Sequence, residues 1–109
     1  MPDRKDELEN ILLLPDAEKR DEALFAFVER TAAIDPYTSL TAARSIGELY
    51  KRGWALLLCV KALVHIDMDT AVEVAGTIED EYNRHRAEHT IEFTKLKHRS
   101  EEGGDPSWN

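Results

Sequence analysis

His85-Arg86-Ala87-Glu88-His89 is the stretch of this chain whose residue types and spacing match a known catalytic geometry. On a helix, two histidines four residues apart stand one above the other and can share a metal ion. Glu88 would then be free to take a proton from a metal-bound water, which is the arrangement of metal-assisted hydrolysis. His85, Glu88 and His89 are therefore the candidate metal-site residues.

The same His-x-x-Glu-His order is found in inverted zinc peptidases. Those enzymes also need an acidic ligand from a distant helix and a substrate cleft, and only 20 residues follow His89 here. The chain has no serine with a fitting histidine and acid neighbour, no phosphate-binding glycine loop and no paired cysteines. The expectation is a protein that is not an enzyme and carries no cofactor. A reduced version keeps the metal, with His85, His89 and either Glu81 or Glu92 as a surface site, short of the four ligands that closed structural sites use. The competing reading is packing, with both histidines in a helical stripe of Ile78, Tyr82, His85, His89, Phe93 and Leu96.

Helical periodicity must position these groups. Residues 3–14 carry Leu8, Ile11 and Leu12 at helical spacing and stop before Pro15. Residues 17–33 carry Leu24, Phe27 or Val28, and Thr31 on one face, with Asp16, Glu18, Asp21 and Glu22 near the positive end of the helix dipole. Asp35-Pro36 is a start signal, because Asp accepts from orphan amides and Pro gives up no needed donor. It predicts a third helix over 36–51, ended by Arg52-Gly53. Residues 54–66 are apolar on nearly every side, which predicts a fourth helix at the centre with Trp54 buried. Asp67 or Asp69 should cap a short fifth helix over 70–77, and Asp80 should open a sixth that reaches Arg99.

The segment Val28–Ile46 has an echo in Val72–Ile91. Val28, Glu29, Ile34, Asp35, Tyr37, Ala42 and Ile46 match Val72, Glu73, Ile78, Asp80, Tyr82, Ala87 and Ile91, after one inserted residue. Each copy reads as a helix ending in Ile, an Asp start, a Tyr two residues later, then Ala and Ile. This pattern resembles degenerate tetratricopeptide-like or HEAT-like helical repeats, in which small residues let antiparallel helices approach closely. The resemblance implies an α-solenoid fragment that binds protein, with copies over 23–51 and 70–97 joined by the apolar helix 54–66. The fold class expected is all-α: about five or six helices in antiparallel hairpins, forming a short α-solenoid or a compact helical bundle. Residues 1–99 form a single domain, and 100–109 read as a disordered tail in which Trp108 is an exposed anchor candidate.

A net charge of -8 and 33% charged residues argue against a nucleic-acid surface, which needs a clustered cationic face. The N-terminus lacks the apolar core of a secretory signal, the longest apolar run is too short to span a bilayer, and the lone Cys59 fits a reducing compartment. The chain is therefore expected to be cytoplasmic, with no membrane contact. Its expected partner is a protein, with a homodimer as the means of covering the ends of a two-copy array. Arg44, Glu48, His85, His89 and Glu92 are the expected partner-binding residues. The other expectation is an acidic inhibitor of a basic enzyme, acting through Asp67, Asp69, Glu73, Glu79, Asp80 and Glu81. Helix starts attract acids in any protein, so that acidic run is also what capping alone would produce.

Overall fold

A computed structural model of the chain describes residues 3–103, with side chains through Ser100. It is all-α: α1 (Arg4–Leu12), α2 (Ala17–Thr31), α3 (Pro36–Arg44), α4 (Leu49–Leu63), α5 (Met68–Gly76) and α6 (Glu81–Gly103). Short and long helices alternate, and their start signals recur with one spacing. Asp3, Asp35 and Asp67, each 32 residues after the last, cap the short helices by accepting from the amide three residues on. Asp16, Glu48 and Asp80 repeat the same 32-residue step and accept from amides in the first turns of the long helices. Each satisfied amide is one of the orphan donors of a helix start.

A third series joins the two helices of each pair. Arg20, Arg52 and Arg84, again 32 apart, donate back to Leu14 O, Ile46 O and Ile78 O. Each guanidinium thus pins the turn that precedes its own helix. Ile46 and Ile78 are 1% exposed, so the pinned turns also deliver a core side chain. The expected echo between Val28–Ile46 and Val72–Ile91 sets a long-then-short pair against a short-then-long one. Residues matched in that way occupy different places in the fold.

α4 is central. It packs against α2, α3, α5 and α6, while neither α1 nor α2 touches α5 or α6 among the described residues. The three pairs consequently form a row 61 × 34 × 17 Å across, not a closed ring. The core is built from Leu24, Phe27 and Val28 of α2, Leu57, Val60 and Leu63 of α4, and Val74 of α5, all fully buried. Close-packing of this kind is the main stabilising term.

Several boundaries differ from the sequence reading. The third helix stops at Arg44 instead of Lys51, because the carboxylate of Glu48 takes the amides of Tyr50 and Lys51 and starts α4 five residues before Trp54. Gly53 therefore lies inside a helix and ends nothing. α6 runs past Arg99 through Gly103, and the rest of the expected tail, with Trp108, lies outside the described residues.

Both ends of the row expose polar residues, beside apolar Leu12 and Leu13 at α1 and Val72 on α5. α1 buries only Leu8 and leaves Lys5, Asp6 and Glu9 in solvent. Where α4 buries Leu56, Val60 and Leu63, α6 has exposed Glu88, Glu92 and Lys95, one 32-residue step later. Polar end faces are what a finite stack of helices requires.

Candidate functional site

The buried stripe of α6 is Asn83, Ala87, Ile91 and Thr94. Asn83 turns inward because its amide nitrogen donates to Asp80 Oδ1 at 2.7 Å and to Tyr50 O at 3.4 Å. That rotation puts Tyr82, His85, His89, Phe93 and Leu96 on the solvent side, so the expected packing role of His85 and His89 is corrected within the chain. His85 Nε2 lies 3.9 Å from Glu81 Oε1. Among the described residues no three His, Cys, Asp or Glu side chains gather where they could hold a metal ion.

The outer side of the long helices carries a row of aromatic rings. Phe25 of α2 meets Trp54 of α4 edge-on at 5.1 Å, Trp54 meets Tyr50 at 6.2 Å, and Tyr50 stacks on Tyr82 of α6 at 6.3 Å. The Arg86 guanidinium lies over the Tyr82 ring, 5.5 Å from its centre. Trp54, expected in the core, is 42% exposed, because Ala55, Leu56, Leu57, Cys59, Val60 and Leu63 already fill the inward positions of α4. Edge-to-face pairs stabilise beyond their area, by about 0.5–1.5 kcal/mol each, yet these rings keep much of their surface in water. Two signals in the sequence could have found the row: Tyr50 and Trp54 are one turn apart, and Tyr82 follows Tyr50 by 32 residues.

A groove of about 750 Å³ runs beside this row between α4 and α6, lined by Lys61, His65, His89, Phe93, Lys97 and His98, among others. It continues into a hollow of about 510 Å³ where Lys61 and His89 are joined by Tyr82, His85 and Arg86. All four histidines of the chain lie along this one feature. The α2 side of the same face carries exposed Glu18, Glu22 and Glu29.

The remaining expected residues scatter. Arg44 is exposed at the end of α3, and Glu48 is committed to capping α4. Neither lines the groove that holds His85 and His89, and nor does Glu92. Of the acidic set, Asp67 caps α5 and accepts from the Tyr37 hydroxyl at 2.8 Å, Asp80 caps α6, and Glu79 pairs with Arg52 at 3.1 Å. The hydrogen bond from the Thr70 hydroxyl, with that from Tyr37, holds the Asp67 carboxyl below its ordinary range. Asp69 and Glu73 stand in solvent on α5, and Glu81 lies at the start of α6. Cys59 is buried, and desolvation pushes its thiol up to about 12, far from the thiolate character a nucleophile needs.

No helix among the described residues is long and apolar enough to cross a membrane. No family model, curated protein or solved structure matches the chain.

Proposed function

We propose that the chain is a noncatalytic protein-binding module, a small tetratricopeptide-like helical-repeat adaptor that holds its partner on the outer face of α2, α4 and α6. The observation that carries this reading is the aromatic row Phe25–Trp54–Tyr50–Tyr82, which crosses three helices while Tyr50, Trp54 and Tyr82 each stay more than 40% exposed. Rigid aromatic side chains contribute large contact area at low entropic cost, and they dominate binding energy at interfaces. The 32-residue recurrence of caps and turn-pinning arginines supports the helical-repeat part of the reading.

The exposed Glu88, Glu92 and Lys95 of α6 disfavour a second copy docking there, so the partner is read as a different protein. An acidic inhibitor is the weaker alternative, since Asp67, Glu79 and Asp80 are already engaged within the chain. A reducing, cytoplasmic setting fits the buried unpaired thiol of Cys59.

The test is affinity capture from the native host with wild-type protein and with a Tyr50→Ser, Trp54→Ser, Tyr82→Ser triple variant. Circular dichroism would check that the variant is folded. A protein retained by the wild type and lost from the folded variant supports the reading. Identical capture by both would refute it.

A further inference from the structure

Several cations of this chain are engaged within it. Arg4, Arg30 and Arg52 pair with carboxylates, and Arg20 and Arg84 donate to turn carbonyls. Of the cations with no ion pair among the described residues, Lys61, Arg86 and Lys97 line the α4–α6 groove and its adjoining hollow, while Lys5, Lys19, Arg44, Lys51, Lys95 and Arg99 lie outside both. No carboxylate lines either part. Acids sit outside the lining: Glu81 beside His85, Glu29 beyond Lys61 in the neighbouring α2–α4 groove, and Glu88 and Glu92 exposed on α6. In a chain of net charge -8, this is a local reversal of sign.

Apolar surface accompanies the charge. Phe93 lines the groove and is 62% exposed, and Val64 lies beside it. Lysine stems add methylene surface while their heads stay free to meet an anion. From His85 to His98 the groove follows α6 for ~20 Å at 1.5 Å per residue. An extended peptide of about six residues covers that length.

We propose that the α4–α6 groove binds an acidic peptide segment of the partner protein, its carboxylates meeting Lys61, Arg86 and Lys97 and an apolar side chain resting on Phe93. This rests on the reading of the chain as a protein-binding module and names the kind of segment that module takes. Charge complementarity at a cleft raises encounter rate and rejects partners of the wrong sign. A basic segment would meet three like charges, and a purely apolar one would desolvate them without supplying a partner.

The experiment is fluorescence anisotropy on the full chain with three labelled eight-residue peptides of alternating acidic and apolar residues: a glutamate–leucine peptide, its glutamine counterpart and its lysine counterpart. The expected result is saturable binding of the glutamate peptide, at least about tenfold tighter than the other two and weakening with salt as surface charges are screened. Lys61→Glu with Lys97→Glu should abolish it, whereas Lys95→Glu, on another face of the same helix, should leave it intact. Equal affinity for all three peptides, or survival of binding in the double variant, would overturn the proposal. So would tighter binding of a single-stranded oligonucleotide than of the glutamate peptide, or a concentration-dependent dimer in light scattering that the double variant dissolves. If the glutamate peptide fails to bind while capture through the aromatic row persists, the groove assignment falls and the binding-module reading stands.

Discussion

The carboxylate of Asp80 fills the space that a side chain on Gly53 would need, with Ile78 packed next to it. Asp80 caps α6 and Gly53 lies in α4, so the bare backbone at Gly53 is what lets the third helix pair close onto the second. Ordinarily, alanine in place of a helical glycine stabilises by about 0.5–1 kcal/mol. At Gly53 the sign should reverse, with Gly53→Ala costing about 1–3 kcal/mol from overpacking. Gly76→Ala is the matched control, because nothing lies within 4 Å of a Cβ there, and it should stabilise. Urea denaturation of the two variants checks the opposite signs.

Asp21 does the corresponding work between the first and second pairs, one 32-residue step before Gly53. Its carboxylate accepts from the amides of Gly47 at 3.0 Å and Glu48 at 3.1 Å while only 9% exposed. Removing an acceptor that serves two amides leaves both donors short of a partner, at about 1–3 kcal/mol. Asp21→Ala should therefore lower the urea midpoint, whereas Glu22→Ala, exposed on the same helix, should leave it nearly unchanged.

Two caps also set the acid limb of stability. The Thr38 hydroxyl, with the Thr38 amide and the Arg4 guanidinium, holds the Asp35 carboxyl below its ordinary value of 3.8, and Thr70 with Tyr37 does the same for Asp67. A depressed folded-state value means the contribution is complete above the unfolded value and disappears as pH falls through the folded one. Stability should thus drop as pH falls below about 4, and Asp35→Asn and Asp67→Asn should each flatten that limb. Tyr37 titrates in the opposite sense: its bond to Asp67 raises the phenol above 10.0, so its contribution is present below that value and lost as pH rises through the higher folded one. Tyr37→Phe should remove this alkaline loss, read from thermal melts between about pH 9 and 11.

The Cys59 thiol, at about 12 and fully buried, should be silent toward a disulfide reagent at about pH 8 in the native protein and react stoichiometrically once urea unfolds it. Fast native-state modification would show that α4 opens without global unfolding.

Helix number, order and class were legible because Asp35, Asp67 and Asp80 are strong local signals whose effect does not depend on distant contacts. The α3–α4 boundary was harder to see. Glu48 is a weaker start signal than Asp or Ser, and Gly53 looks like a stop until the approach of Asp80 explains it. That one boundary moved Trp54 from the expected core to the surface and hid the 32-residue spacing. On α6, periodicity alone permits two adjacent stripes. The hydrogen bonds of Asn83 to Asp80 and Tyr50 choose between them; Asp80 is a local cap three residues back, but Tyr50 reaches Asn83 only through tertiary structure. The groove cations come from α4 and α6, so no local motif records their meeting.

Hydrogen–deuterium exchange of the chain, free and with its captured partner, tests most directly where that partner binds. Slowed exchange is expected around Phe25 in α2, over 50–61 in α4 and over 82–97 in α6, with α1, α3 and α5 unchanged. Protection confined to the short helices, with the long-helix face exchanging as in the free chain, would contradict it.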